Sequence, residues 1–360
     1  MADKYRIDSH KLIFHVDRVA EWQAGKNVYP IYAEISPAGG CNHRCTYCAL
    51  DFMGYQKRLL DTAILKERLT ELGRLGLKSV MYAGEGEPFI HPDMAEITEH
   101  TKKAGIDPAF TTNSVKLDKE TADRVLPVTS WIKTSINGAT AETYAKIHRS
   151  KPIDFDTTIQ NLTYAAEIKR KNNYKCALGM QLLLLPENQH EAVALAKLAK
   201  NIGMDYLVIK PYSQHPLSKT HLYENVKYEG MQELSTELQQ VSGNGFSVVF
   251  RWETMATWDA QAHEYEKCLA LPFWTYIDAG ANVWGCSMYM ENQEYKDRFL
   301  YGNLMEQSFQ QIWEGPQRKQ ALAWVESELD VQMCRVNCRM DKINKYLWEL
   351  RNPADHVNFI

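Results

Sequence analysis

Between residues 29 and 212 the sequence alternates six times between a β-like stretch and a segment able to form a helix, and few folds accommodate that. The β-like stretches are 29–36, 78–84, 107–113, 130–137, 175–185 and 205–212. A helix starting near Asp61 puts Leu65, Leu69 and Leu72 on one face and stops at Gly76. Another occupies 91–105. A third opens with Asn188 and Glu191 at capping-box spacing and buries Ala192, Leu195, Ala199 and Ile202. Six βα units in series imply a parallel sheet with helices outside it. Six are too few for a closed eight-stranded barrel, so the expected fold is α/β, a partial (β/α)6 TIM barrel. Functional residues in such folds collect at the C-terminal ends of the strands.

After about residue 216 the pattern changes. A helix over 228–241 and a strand over 246–253 come first. Two short strands, 274–278 and 282–285, then flank Ala279, Gly280 and Ala281 as a hairpin. A helical stretch over 305–328 leads to a cysteine pair and a last helix. This reads as a small α+β domain, with the boundary between 213 and 245. The expected division is an N-terminal extension over 1–28, the barrel over 29–230 and the small domain over 231–360. The longest apolar run, around 182–186, is far too short to span a bilayer, and no apolar stretch of signal length follows a basic start. A cytoplasmic protein without a membrane partner is expected. Forty-one Lys and Arg against 45 Asp and Glu, a net charge of −4, argue against a nucleic-acid partner. In a reducing compartment the eight cysteines are metal ligands sooner than disulfides.

Cys41, Cys45 and Cys48 are spaced C-x3-C-x2-C in the loop after the first strand. Three thiolates round one tight loop can ligate three irons of a cubane and leave the fourth open to a small molecule. A zinc site that recruits His43 is the other reading of the same spacing. Cys268 and Cys286 enclose the hairpin, and Cys334 and Cys338 form a C-x3-C pair before the last helix. These four close one complete site, and spacing alone leaves zinc and an iron–sulfur cluster equal. A non-enzymatic zinc-binding or redox-sensing protein is the corresponding functional alternative.

The first group, with Tyr47 before its third cysteine, resembles the radical S-adenosylmethionine (SAM) signature. Gly84-Glu85-Gly86-Glu87-Pro88, one βα unit later, resembles the GGEP motif of that superfamily. The resemblance implies a [4Fe–4S] cluster on Cys41, Cys45 and Cys48 and a SAM site including Tyr47, Gly84, Gly86 and Glu87, with Glu87 holding the amino group. Asn113 matches the family's ribose-binding position and Ser135 a carboxylate contact, and Gln181 is expected to face the lumen near SAM. The second group resembles the SPASM/twitch extension, through the glycine before its second cysteine, Gly302-Asn303 and Trp313. Four cysteines imply the shorter twitch form with one fully ligated [4Fe–4S] cluster on Cys268, Cys286, Cys334 and Cys338. Five residues between Gly280 and Cys286, where the family has four, imply a bulge in the hairpin. The two resemblances cover about residues 29–345, and residues 1–28 match neither.

The family chemistry implies a 5′-deoxyadenosyl radical that takes hydrogen from an unactivated carbon, with flavodoxin or ferredoxin as electron donor. A complete auxiliary cluster favours two-electron oxidation, whereas Cys176, at the start of the fifth strand, offers a hydrogen donor for epimerisation. Peptide modification is a further alternative. Forty residues before Cys41 leave little room for a peptide-recognition domain, so a small polar substrate is expected: a sugar, nucleotide sugar or aminocyclitol. Lys210, Tyr212, Gln214 and His215 at the exit of the sixth strand, with Arg251 and Glu253 on the next, are the candidate substrate contacts.

Overall fold

A computed structural model describes residues 4–359. The six expected strands form as β1 (Tyr32–Ile35), β2 (Ser79–Tyr82), β3 (Asp107–Thr112), β4 (Trp131–Ser135), β5 (Ala177–Leu183) and β6 (Tyr206–Lys210), each parallel to the next. Two further strands extend the parallel sheet. β7 (Ser247–Phe250) pairs with β6, and β8 (Trp274–Ile277) pairs with β1 at the other edge. β9 (Asn282–Trp284) and β10 (Leu300–Asn303) continue it antiparallel, giving the order β10-β9-β8-β1-β2-β3-β4-β5-β6-β7. The six strands of the partial barrel are thus extended by one parallel strand at each edge, and one continuous sheet runs through the expected boundary between 213 and 245.

Successive side chains of a strand point to opposite faces. Ile35, Val80, Tyr82, Phe110, Ile132, Leu182 and Ile209 pack outward against the helices, where they meet Leu65, Leu69, Leu72 and Leu195 in one core. The alternate residues Glu34, Met81, Thr111, Lys133, Ser135, Gln181 and Lys210 therefore line the lumen. Thr111 Oγ1 lies 3.3 Å from Met81 Sδ, and Gln181 Nε2 lies 3.5 Å from Ser135 Oγ. The lumen is stopped at the N-terminal ends of the strands. There Tyr206, Val208 and Val249 pack with Ala177 and with Tyr5 and Ile7 of the N-terminal extension. Further along, Leu12, Val19 and Trp22 of that extension pack with Leu269, Phe273 and Leu347. The extension thus binds both halves of the molecule.

Three local expectations need correction. The strand over 246–253 ends at Phe250, and a helix, Trp252–Ala260, begins at once. Its first turn is satisfied from afar, since Asp8 accepts from Glu253 N (3.0 Å) and Thr254 Oγ1 (2.7 Å). The helix over 305–328 is two, Phe309–Glu314 and Pro316–Ser327. The break falls at Gly315, and Pro316 starts the second helix where its missing N–H costs nothing. The β8–β9 hairpin keeps regular register, Tyr276 opposite Trp284 and Ile277 opposite Val283. The bulge lies instead between β9 and β10, between Leu300 and Gly302.

Candidate active site and cluster sites

Cys41, Cys45 and Cys48 lie on the loop that leaves β1 at the barrel mouth, and all three are free thiols. Burial, then the Glu87 carboxylate, pushes the Cys41 thiol up to about 12. Burial and the neighbouring Cys48 and Cys41 raise Cys45 well above the ordinary thiol range. Ionising these thiols would therefore need positive charge among them, which a cluster's irons would provide. His43 does not complete a four-ligand site with them. Its ring is buried and turned toward Tyr144, with Nε2 3.4 Å from Asp154 Oδ2, and the group it forms within 4.8 Å is with Cys45 and His148, not with Cys41 and Cys48. His148 stands behind Cys45, Nδ1 3.2 Å from Sγ, and its Nε2 is 3.0 Å from the Ile136 carbonyl. Burial, then His43, pushes the His148 imidazole down to about 3.

The Gly84–Pro88 segment is built against this loop. A Cβ at Gly86 would stand 2.0 Å from Gly40 O, and one at Gly84, where φ is +116°, would stand 2.3 Å from Tyr276 Oη. Only glycine allows either approach. Glu87 is buried and accepts from Thr112 Oγ1 (2.6 Å), Asn113 N (2.8 Å) and Phe89 N (3.2 Å), which ties β2 to the end of β3. A carboxylate has about four lone-pair sites, so capacity for one more donor is left beside Cys41. Glu85 turns the other way. It accepts from Ala279 N (2.8 Å) and Arg58 Nη2 (2.8 Å), fastening the barrel to the hairpin. Asn113 donates to Asn42 Oδ1 (2.7 Å) within the cysteine loop, and Tyr47 Oη accepts from Asn137 Nδ2 (2.6 Å). Ser135 and Gln181 share the lumen wall below.

Cys268, Cys286, Cys334 and Cys338 come together in the second half. Burial comes first and the other three thiols next in raising Cys286 well above the usual range. Asn344 Nδ2 lies 3.7 Å from Cys268 Sγ, Met340 N 3.4 Å from Cys338 Sγ and Tyr289 Oη 3.5 Å from Cys334 Sγ. Four thiols with hydrogen bonds at their sulfurs fit a fully ligated [4Fe–4S] cluster. The accompanying motif residues hold the hairpin. Asn303 Nδ2 donates to Gly280 O (2.9 Å) and Asn282 Oδ1 (2.8 Å), and buried Trp313 donates to Val28 O (2.8 Å).

The candidate substrate residues divide. Lys210 reaches the lumen. Tyr212 donates to Gln214 Oε1 (2.5 Å), and the Gln214 amide is spent on the carbonyls of His215 and Thr220. His215 is buried, stacked on Phe52, and its Nδ1 accepts from Leu217 N (3.2 Å). These three build the loop after β6. Arg251 is 3.1 Å from Asp8, and exposed Glu253 is 3.2 Å from Lys342, on the helix rather than on a strand. Cys176, the expected hydrogen donor, packs away from the lumen. It is 1% exposed in the helix-side core, next to the N-terminal end of β5, and shares the outward parity of Leu178 and Met180. The mouth of the barrel lies at the opposite end of that strand. Sequence reasoning passed over Lys133, Glu34, Arg335 and Arg339. Lys133 could have been found, since it alternates with Ser135 on one strand.

Residues 35–199 match the family model of the radical SAM superfamily, and residues 268–339 match that of an iron–sulfur cluster-binding domain, SPASM. An AdoMet-dependent heme synthase of Methanosarcina barkeri is 25% identical over 293 residues, 76% of this chain and 79% of its own length. A tungsten-containing aldehyde ferredoxin oxidoreductase cofactor-modifying protein of Pyrococcus furiosus is 22% identical over 307 residues, 79% of this chain and 80% of its own. The fold is similar to that of Streptococcus suis SuiB bound to precursor peptide SuiA, with a TM-score of 0.63 and 17% identity over 85% of this chain and 69% of SuiB. It is also similar to anSMEcpe with bound AdoMet and a peptide, with a TM-score of 0.56 and 15% identity over 88% of each chain. No helix among the described residues is long and apolar enough to cross a membrane.

Proposed function

The chain joins a radical SAM domain to a C-terminal SPASM iron–sulfur domain, and from that premise we propose that it oxidises a small polar substrate by two electrons inside the barrel lumen. One observation carries this reading: the 41–48 thiols, the Gly86 backbone seated on their loop and the spare acceptor of Glu87 all open onto a lumen with polar walls. With both clusters and SAM bound, the cofactors supply the 5′-deoxyadenosyl radical at the mouth and an electron acceptor at Cys268, Cys286, Cys334 and Cys338.

The protein's part is orientation. Glu87 holds the SAM ammonium by a charge-assisted hydrogen bond, and its three internal bonds keep the carboxylate from turning away. Gly84 and Gly86 keep the backbone close enough for that contact. Asn113 presents the end of β3 to the ribose, and Ser135 and Gln181 present the wall to the SAM carboxylate and to the substrate. Tyr47, fixed by Asn137, packs edge-on against His148 and screens the loop from water. The substrate loses one hydrogen atom, one proton and one further electron. The core position of Cys176 supports oxidation over epimerisation, since no thiol from that position reaches the lumen.

The test is anaerobic reconstitution followed by turnover. Brown protein with about eight irons per chain, 5′-deoxyadenosine formed with dithionite, and a product two mass units lighter without solvent deuterium at carbon are expected. Colourless protein with one or two zinc ions, or deuterium on an inverted carbon with no oxidised product, would overturn the proposal.

A further inference from the structure

The lumen holds more positive charge than the chain neutralises. Five cationic side chains act on one another there: Lys133 on β4, Lys210 ending β6, Arg251 after β7, and Arg335 and Arg339 on the loop of Cys338. Two find carboxylates. Arg339 Nη2 is 2.9 Å from Glu34 Oε2, and Arg251 Nε is 3.1 Å from Asp8 Oδ1. Among the described residues Arg335 bonds only neutral Ser213, Nη2 to Oγ at 2.6 Å, and its charge also faces Cys338. Lys133 and Lys210 make no ion pair or hydrogen bond among the described residues. Lys133 has the Trp131 ring 5.5 Å from its Nζ, and Glu34, already paired to Arg339, acts on it from beyond hydrogen-bond distance.

Both lysines are half-buried, and like charges gathered in a partly enclosed chamber disfavour one another. Burial, then Arg339 and Arg251, pushes Lys133 down to about 7. Burial, then Lys133, Arg251, Arg339 and Arg335, pushes Lys210 well below its usual range. SAM does not relieve them, because its ammonium and sulfonium outweigh its one carboxylate. The neighbouring strand between the two lysines contributes Gly179, Gln181 and Leu183, none of them acidic.

We propose that the substrate is a small molecule with at least two anionic groups, carboxylate or phosphate, which Lys133 and Lys210 hold in the lumen. This rests on the oxidation proposed above and narrows its substrate: a nucleotide sugar or a polycarboxylate meets the requirement, whereas a neutral sugar or a cationic aminocyclitol does not.

The experiment uses iron-loaded protein saturated with S-adenosylhomocysteine, so that the open iron is covered, and titrates succinate and inorganic phosphate calorimetrically. Binding of either is expected, weakened at least about tenfold by Lys133→Met and by Lys210→Met and kept by Lys133→Arg. Succinate alone would assign a polycarboxylate, and phosphate alone a phosphate ester. Wild-type protein that contains iron and cleaves SAM but binds neither anion would overturn the inference and leave the oxidation standing. Equal binding by wild type and both Met variants would also overturn it, whereas wild-type protein without iron or SAM cleavage would defeat the underlying reading instead.

Discussion

A methyl group at position 86 would stand 2.0 Å from Gly40 O and 2.5 Å from Ala38 O, both backbone atoms of the loop that carries Cys41. Neither can retreat without moving the cysteines. Gly86→Ala should therefore lose the first site, about four of about eight irons, and with it 5′-deoxyadenosine formation, as an iron assay and chromatography would read. Glu87→Ala should act differently. It keeps the iron, weakens SAM binding about tenfold to a hundredfold, and lowers stability by roughly 1–3 kcal/mol, because Thr112 Oγ1 and Asn113 N lose a buried acceptor. Equilibrium dialysis and denaturant unfolding separate the two effects. The Gly-Glu-Gly-Glu-Pro run was legible as a motif, but the different duties of its two acids were not. Glu85 answers to Ala279, almost two hundred positions away, and no local pattern encodes that.

The helix Trp252–Ala260 shows how an element can depend on a segment that sequence reading set aside. Its N-terminal donors are met by Asp8, so Asp8→Ala should cost about 1–2 kcal/mol, read as a lower thermal midpoint. The same change frees Arg251 into an already cationic lumen, which would make the loss larger at low salt. Sequence reading ran the preceding strand into this helix because Phe250, Arg251 and Trp252 look β-prone and the cap is remote. The first six strands were legible because each is short, rich in apolar residues and followed by a helix with the right period. That β7 and β8 join the same sheet was not, because β8 pairs with β1 some 240 positions earlier. Lys133 lay in plain view, on a strand whose burial alternates, with Ser135 two residues on.

Across the whole molecule, the two sites draw on separate ligands but share one sheet, through β1 and β8. Replacing Cys41, Cys45 and Cys48 together with Ala should leave about four irons per chain and no SAM cleavage. Replacing Cys334 and Cys338 with Ala should stop product formation while some uncoupled 5′-deoxyadenosine still appears, measured by mass spectrometry of both compounds. Arg335 and Arg339 ride on the same short loop as those last two cysteines, and Glu34 and Ser213 receive them. Arg335 follows Cys334 and Arg339 follows Cys338, so whatever grips those two thiols also grips the side chains that face the lumen. A single short stretch thus serves two masters, and a change that loosens it for one is felt by the other.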